Sequence, residues 1–77
     1  MKAKEMFEEL GYEYHDYKFT DEYYQTISLE EDKWKSIEFV KPDKILRLSD
    51  DYNSIDIDLK TLSAICQQVK ELGWLEE

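Results

Sequence analysis

FEELGYEY, residues 7–14, is where the chain stops reading as a helix and starts reading as a strand. Upstream, Ala3, Met6, Phe7 and Leu10 fall at i, i+3, i+4 and i+7, a single apolar stripe. Glu5, Glu8 and Glu9 take the opposite side, which predicts a short helix over 2–10. Gly11 stands where a left-handed residue closes a helix. From Tyr12 the period falls to two. The phrase returns near the other end as VKELGWLEE, residues 69–77. The flanking sequences do not align, so the echo reads as two helices stopping alike. Tyr12 and Trp74 are then placed to fold back onto their helix ends.

Working outward, the segment from Tyr12 to about residue 57 is rich in Tyr, Ile, Phe, Val and Thr, as strands prefer. The first strand is expected at 12–19. A second follows near 22–30, with Ile27 and Leu29 on one face, and a turn at Glu30–Lys33. The third spans about 34–41, with Ile37 and Phe39 alternating against Ser36 and Glu38. KPDK, residues 41–44, is a turn in which Pro42 presets φ. The fourth strand, 44–49, sets Leu46 and Leu48 on one face and Ile45 and Arg47 on the other. Ile55 and Ile57 suggest a short extended piece, and Asp58 a helix N-cap. A second helix is expected over 59–72, with a buried stripe of Leu59, Leu62, Ile65, Cys66, Val69 and Leu72. Its solvent face would hold Lys60, Thr61, Ser63, Gln67, Gln68, Lys70 and Glu71. The order is α-β-β-β-β-α, in a single α+β domain over residues 1–77. The expected architecture is an antiparallel three- to four-stranded meander with the N- and C-terminal helices packed on one face.

A chain of 77 residues supports one small core, without room for a deep enclosed active site. Nineteen acids against ten bases give a formal net charge of −9. That balance, with no run of three bases, argues against direct contact with nucleic acid or an anionic membrane. It favours basic partners. Aromatics make up 14% of the chain, too many for a disordered segment. The single cysteine, Cys66, allows no internal disulfide, and the acids of MKAKEMFEEL break any signal-peptide pattern. The expected setting is a reducing bacterial cytoplasm.

Chemistry-bearing residues are sparse. His15, the lone histidine, and Cys66, expected on the buried stripe, make a poor nucleophile–base pair. The two glycines, both read as helix stops, leave none for a phosphate loop. DDYNSIDID, residues 50–58, invites comparison with a calcium loop. Counted from Asp51, Ile55 stands where a ligand belongs and Asp56 where glycine belongs. A weak divalent-cation site stays open as the lesser alternative to a solvated acidic loop. No residue set calls for a catalytic site, a bound metal or a cofactor, and the chain is read as non-enzymatic.

Two surfaces remain. Asp21, Glu22, Glu30, Glu31, Asp32, Asp50 and Asp51 fall at expected strand ends and turns. They form a candidate acidic surface for a protein partner, against the plainer reading that acids keep a small domain soluble. Tyr14, Tyr23, Tyr24 and Tyr52 exceed what one small core needs. They form a candidate aromatic interface, suited also to homodimerisation, against the plainer reading of cross-strand pairing.

The helix ending in ELGY, the Tyr-rich acidic meander and the closing IDIDLKTLSAICQQVKELGWL together resemble small uncharacterised proteins encoded by phages and prophages of Firmicutes. The resemblance is strongest at 1–12 and 55–75. It implies an α+β fold and a bacterial cytosolic setting, and carries over no catalytic residue. The expectation is a small acidic protein that binds or modulates a host protein, with a nucleic-acid-binding protein among the candidate partners. The alternative is a structural or accessory homo-oligomer using its Tyr-rich sheet face.

Overall fold

The computed structural model describes residues 1–50 and 56–75. Helix α1 (Ala3–Glu9) leads into strands β1 (Glu13–Tyr17), β2 (Thr20–Ser28), β3 (Lys33–Val40) and β4 (Ile45–Asp50), and helix α2 (Leu59–Glu71) follows. The strands form one antiparallel sheet in the order β1-β2-β3-β4. The α-β-β-β-β-α arrangement expected from the sequence is the one observed.

Both helices end by the same device. In α1 the Tyr12 N–H donates to the Phe7 carbonyl at 3.0 Å and the Gly11 N–H to Glu8 at 3.0 Å. In α2 the Trp74 N–H donates to Val69 at 3.2 Å and the Gly73 N–H to Lys70 at 3.1 Å. These are the two bonds of a Schellman cap. Gly11 has φ +92° and Gly73 φ +70°, the left-handed conformation the cap demands. The Tyr12 ring meets the Phe7 ring edge-on, with centroids 5.6 Å apart, closing the cap with an apolar contact.

The core lies between the helices and one sheet face. Ala3, Phe7, Tyr12, Tyr23, Ile37, Phe39, Ala64 and Ile65 are buried, and Met6, Leu10, Leu48, Val69 and Trp74 pack around them. It is largely aromatic: Phe7 stacks on Tyr23 at 3.9 Å, and Phe39 reaches both Tyr23 and Trp74. The helices run antiparallel. The Ala3 N–H, unpaired within its own helix, donates to Glu71 Oε2 at 2.7 Å and so ties the start of α1 to the end of α2.

Several expectations need correcting. Tyr12 belongs to the helix cap, so β1 starts one residue later than expected. The second strand runs Thr20–Ser28 rather than 22–30, and Ile27 and Leu29 do not share a strand face. The pairing shifts between Thr26 and Ser28, which puts Ile27 out of register and exposed, while Leu29 stands in the turn. The buried positions of β2 are Asp21 and Tyr23. Helix α2 is rotated from its expected setting. Thr61, Ala64, Ile65 and Gln68 face the core, whereas Leu59, Leu62 and Cys66 are exposed. Asp58 caps α2 as expected, accepting from the Thr61 N–H at 2.8 Å. Residue 57, half-buried, lies in no strand, and Ile55 is outside the described residues.

Candidate functional site

Strand alternation divides the sheet residues between two faces. The inner face carries Tyr14 and Asp16 of β1, Asp21, Tyr23 and Gln25 of β2, Lys35, Ile37 and Phe39 of β3, and Leu46 and Leu48 of β4. The outer face is covered by no helix or strand among the described residues. Its residues align in cross-strand rows. Tyr17, Thr20, Val40 and Ile45 make the row nearest the β1–β2 turn. His15, Glu22, Glu38 and Arg47 make the next, and Glu13, Tyr24, Ser36 and Ser49 the one after. Thr26 and Trp34 complete the face.

This face has two unusual elements. The first is aromatic. Tyr24 and Trp34 stack with centroids 6.0 Å apart and planes 16° from parallel, and His15 approaches Tyr24 edge-on at 6.3 Å. The second is electrostatic. Glu22 and Glu38 are direct cross-strand partners at the middle of the face, where like charges oppose pairing. Glu22 accepts from Ser36 Oγ at 3.1 Å. Glu38 has Arg47 at 4.0 Å, a long and partly exposed pair that contributes little. Glu13 adds a further carboxylate at the edge, 3.6 Å from His15 Nε2.

The proposed acidic surface does not assemble as one patch. Asp21 is 7% exposed on the inner face, where it accepts from the Tyr14 hydroxyl at 2.8 Å and from Lys41 Nζ at 3.4 Å. Glu22 joins the outer face. Glu30, Glu31 and Asp32 occupy the β2–β3 turn at the far end of the sheet, with Lys33 Nζ 2.7 Å from Glu31. Asp50 ends β4 near that same end, opposite Lys35. Asp51 lies outside the described residues.

The tyrosine interface is likewise redistributed. Tyr23 is a core residue, 2% exposed, and offers no surface. Tyr14 is half-buried on the inner face, packed against the core beneath Lys4, whose Nζ sits 5.2 Å from the ring centroid. Burial, then the hydrogen bond to Asp21, pushes the Tyr14 phenol up to about 12. Tyr24 is on the outer face, and Tyr52 lies outside the described residues. Trp34, Tyr17 and His15 were not part of the expected interface. The alternation of Trp34 and Ser36 with Ile37 and Phe39 already places Trp34 outside, so the pattern held that signal.

His15 and Cys66 are not brought together. His15 is on the outer sheet face and Cys66 on the solvent side of α2, with the sheet between them. Among the described residues no three His, Cys, Asp or Glu side chains gather closely enough to share a metal ion. The calcium-loop comparison falls mostly outside the described residues. A cleft of about 420 Å³ at the helix ends is lined by Leu10, Tyr12, Gln25, Lys35, Asp58 and Thr61. Burial raises the Tyr12 phenol there, with Asp58 adding to the effect. Hydrogen bonds from Thr61 hold the Asp58 carboxyl below its usual value. Lys35 Nζ is turned to the Asp56 carbonyl at 3.4 Å. These are capping contacts rather than a nucleophile and its base.

No helix among the described residues is long and apolar enough to cross a membrane. No protein-family model, curated protein or solved structure matches this chain.

Proposed function

We propose that this chain is a non-catalytic protein-binding module that holds an arginine-rich segment of a basic partner on the outer face of its sheet. One observation carries the reading: Glu22 and Glu38 face each other across β2 and β3, beside the Tyr24–Trp34 stack. Opposed carboxylates weaken the free protein and are relieved by an added cation. A guanidinium answers both elements at once. Its planar fork bonds carboxylates in bidentate fashion, and its flat face lies on an aromatic ring. A lysine ammonium supplies the charge without the plane.

The net charge of −9 adds long-range attraction for such a partner. Arginine-rich segments are common in proteins that bind nucleic acid, which fits modulation of a host protein of that kind. Self-association through the same face would set Glu13, Glu22 and Glu38 against their own copies, so a basic partner is favoured over a second copy there.

The test uses oligo-arginine and oligo-lysine peptides of equal length, with Trp34 fluorescence as the readout and Trp34→Phe as its control. The expected result is tighter binding of oligo-arginine at physiological salt. Glu22→Gln with Glu38→Gln should weaken it at least about tenfold. Glu30→Gln, Glu31→Gln and Asp32→Asn together remove more charge but lie off the face, and should weaken it less than about threefold. Equal losses for the two sets, or equal binding of the two peptides, would reduce the interaction to net charge and overturn the proposal.

A further inference from the structure

Helix α1 flanks α2 on one side only. Lys60, Ser63 and Glu71 of α2 lie toward α1, as the Ala3–Glu71 bond and the small cleft shared by Met6, Leu10, Lys60 and Ser63 show. Thr61, Ile65 and Gln68 turn down toward the sheet. At 100° per residue, Leu62, Cys66 and Val69 therefore point away from α1, toward the β4 side of the molecule. Leu59 is 81% exposed and Leu62 47% exposed, and Cys66 is exposed between Leu62 and Val69. Below them lies the inner face of β4, which the helices only half cover: Leu46 is 38% exposed and Leu48 half-buried. Helix flank and strand form one apolar margin along the edge of the sheet.

The same margin carries an unpaired strand edge. β4 pairs with β3 on one side and with no described strand on the other. Its sequence, ILRLSD, has no proline, bulge or inward-pointing lysine of the kind that blunts an edge. Asp50 Oδ1 is buried at the end of this strand without a hydrogen-bond partner among the described residues.

We infer that this margin is a two-fold interface with a second copy of the chain, β4 pairing antiparallel with β4 to give a continuous eight-stranded sheet. The strand is complementary to itself about Arg47. In that register Leu46 opposes Leu48 of the second copy on the inner face, and Ile45 opposes Ser49 on the outer face. Lys44, in the turn just ahead of the strand, comes alongside Asp50 of the second copy, a pairing of opposite charges at each end of the joined strands. The apolar flanks of the two α2 helices approach over the joined strands. Arg47 meets Arg47 at the axis, each with Glu38 of its own chain 4.0 Å behind it. The interface borders the proposed arginine-binding face at Ile45, Arg47 and Ser49, but it rests on the strand edge and the inner apolar margin, so its test is independent of that reading.

The association has a distinctive salt response. Each copy carries −9, so screening reduces the repulsion between copies while leaving the apolar contact intact. Analytical ultracentrifugation of the full chain over micromolar to millimolar concentration should show a dimer that tightens as salt rises. Leu46→Lys and Leu62→Glu, both at exposed positions, should each raise the dissociation constant at least about tenfold while circular dichroism melts show a folded monomer. Arg47→Cys on a Cys66→Ser background should form a disulfide-linked dimer on mild oxidation, because position 47 alone meets itself in this register. A strict monomer throughout, or a dimer indifferent to both Leu46→Lys and Leu62→Glu, overturns the interface. A dimer without the position-47 cross-link overturns the register.

Discussion

The Tyr23 hydroxyl, 2% exposed in the sheet, donates to Oε1 of Gln68 in α2 at 2.6 Å. It is a polar bond between layers at the centre of an aromatic core. Gln68→Leu leaves a buried phenol without an acceptor, at a cost of about 1–3 kcal/mol. For a domain this small that lowers the melting temperature by about 4–8 °C per kcal/mol. Tyr23→Phe strands the amide instead. Because both partners leave together in Tyr23→Phe/Gln68→Leu, the double variant should melt above the sum of the two single losses. A strictly additive cycle would show that the bond contributes nothing specific.

That bond also explains where the sequence misleads. Residues 59–72 carry a good apolar stripe, and period alone aims Leu59, Leu62 and Cys66 inward. The helix instead turns Thr61 and Gln68 to the core, where Gln68 accepts from the Tyr23 hydroxyl and Thr61 lines the same cleft as Tyr12. Periodicity records which side chains are apolar. It does not record long-range polar partners, 45 residues away in the case of Tyr23 and Gln68. The helix stops at Gly11 and Gly73 were legible because their chemistry is local. The inner pair Ile37 and Phe39 was legible because alternation is local too. The outer-face opposition of Glu22 and Glu38 was not, since it depends on the β2–β3 register.

The two caps are equivalent in backbone geometry but not in surroundings. A Cβ on Gly11 would lie 2.9 Å from Nε2 of Gln25, whose amide donates to the Leu10 carbonyl at 3.0 Å. Gly11→Ala therefore meets both left-handed strain and a displaced hydrogen bond, and should cost about 2 kcal/mol or more. Gly73→Ala meets the strain alone, about 1 kcal/mol. Thermal melts should rank wild type above Gly73→Ala and Gly73→Ala above Gly11→Ala. A reversed order would remove Gln25 from the account.

Alkaline stability should depend on tyrosine. Burial, aided by the bond to Asp21 and by nearby carboxylates, raises the Tyr14 phenol from 10.0 to about 12, and burial raises Tyr12 and Tyr23 as well. A folded-state pKa above the unfolded value means the folded chain keeps its proton longer. The stabilisation is complete below about pH 10 and is lost between there and about pH 12. Urea titrations at stepped pH should show stability falling across that window. Tyr14→Phe should flatten part of the fall, and an unchanged slope would mean that Tyr14 does not titrate with unfolding.

At the acid end the sign reverses. Hydrogen bonds from Thr61 hold the Asp58 carboxyl below the usual carboxylate value, so its contribution is present above that value and disappears as pH falls through the folded pKa. Asp58→Asn keeps an oxygen for the Thr61 N–H but cannot titrate. It should leave the neutral-pH melt nearly unchanged and soften the acid transition, whereas Asp58→Ala should lower the melt at every pH. Equal behaviour of the two variants at neutral pH would deny Asp58 its capping role.

Glu22 and Glu38 pose the sharpest trade between stability and binding. Their opposition across β2 and β3 should cost the free protein about 0.2–1 kcal/mol. Glu22→Gln removes the repulsion and keeps an oxygen to accept from Ser36 Oγ, now 3.1 Å from Glu22. The variant should melt about 1–8 °C above wild type at low salt. The gain should shrink as salt screens the pair, since the carboxylates are solvent-facing. The same substitution should weaken oligo-arginine binding, because the charge that destabilises the free sheet is the charge a guanidinium would neutralise. A variant that gains stability without losing affinity would separate the two effects and leave the opposed carboxylates as a structural accident. One that loses both would show that Ser36 and Arg47 already hold the pair favourably in the free protein.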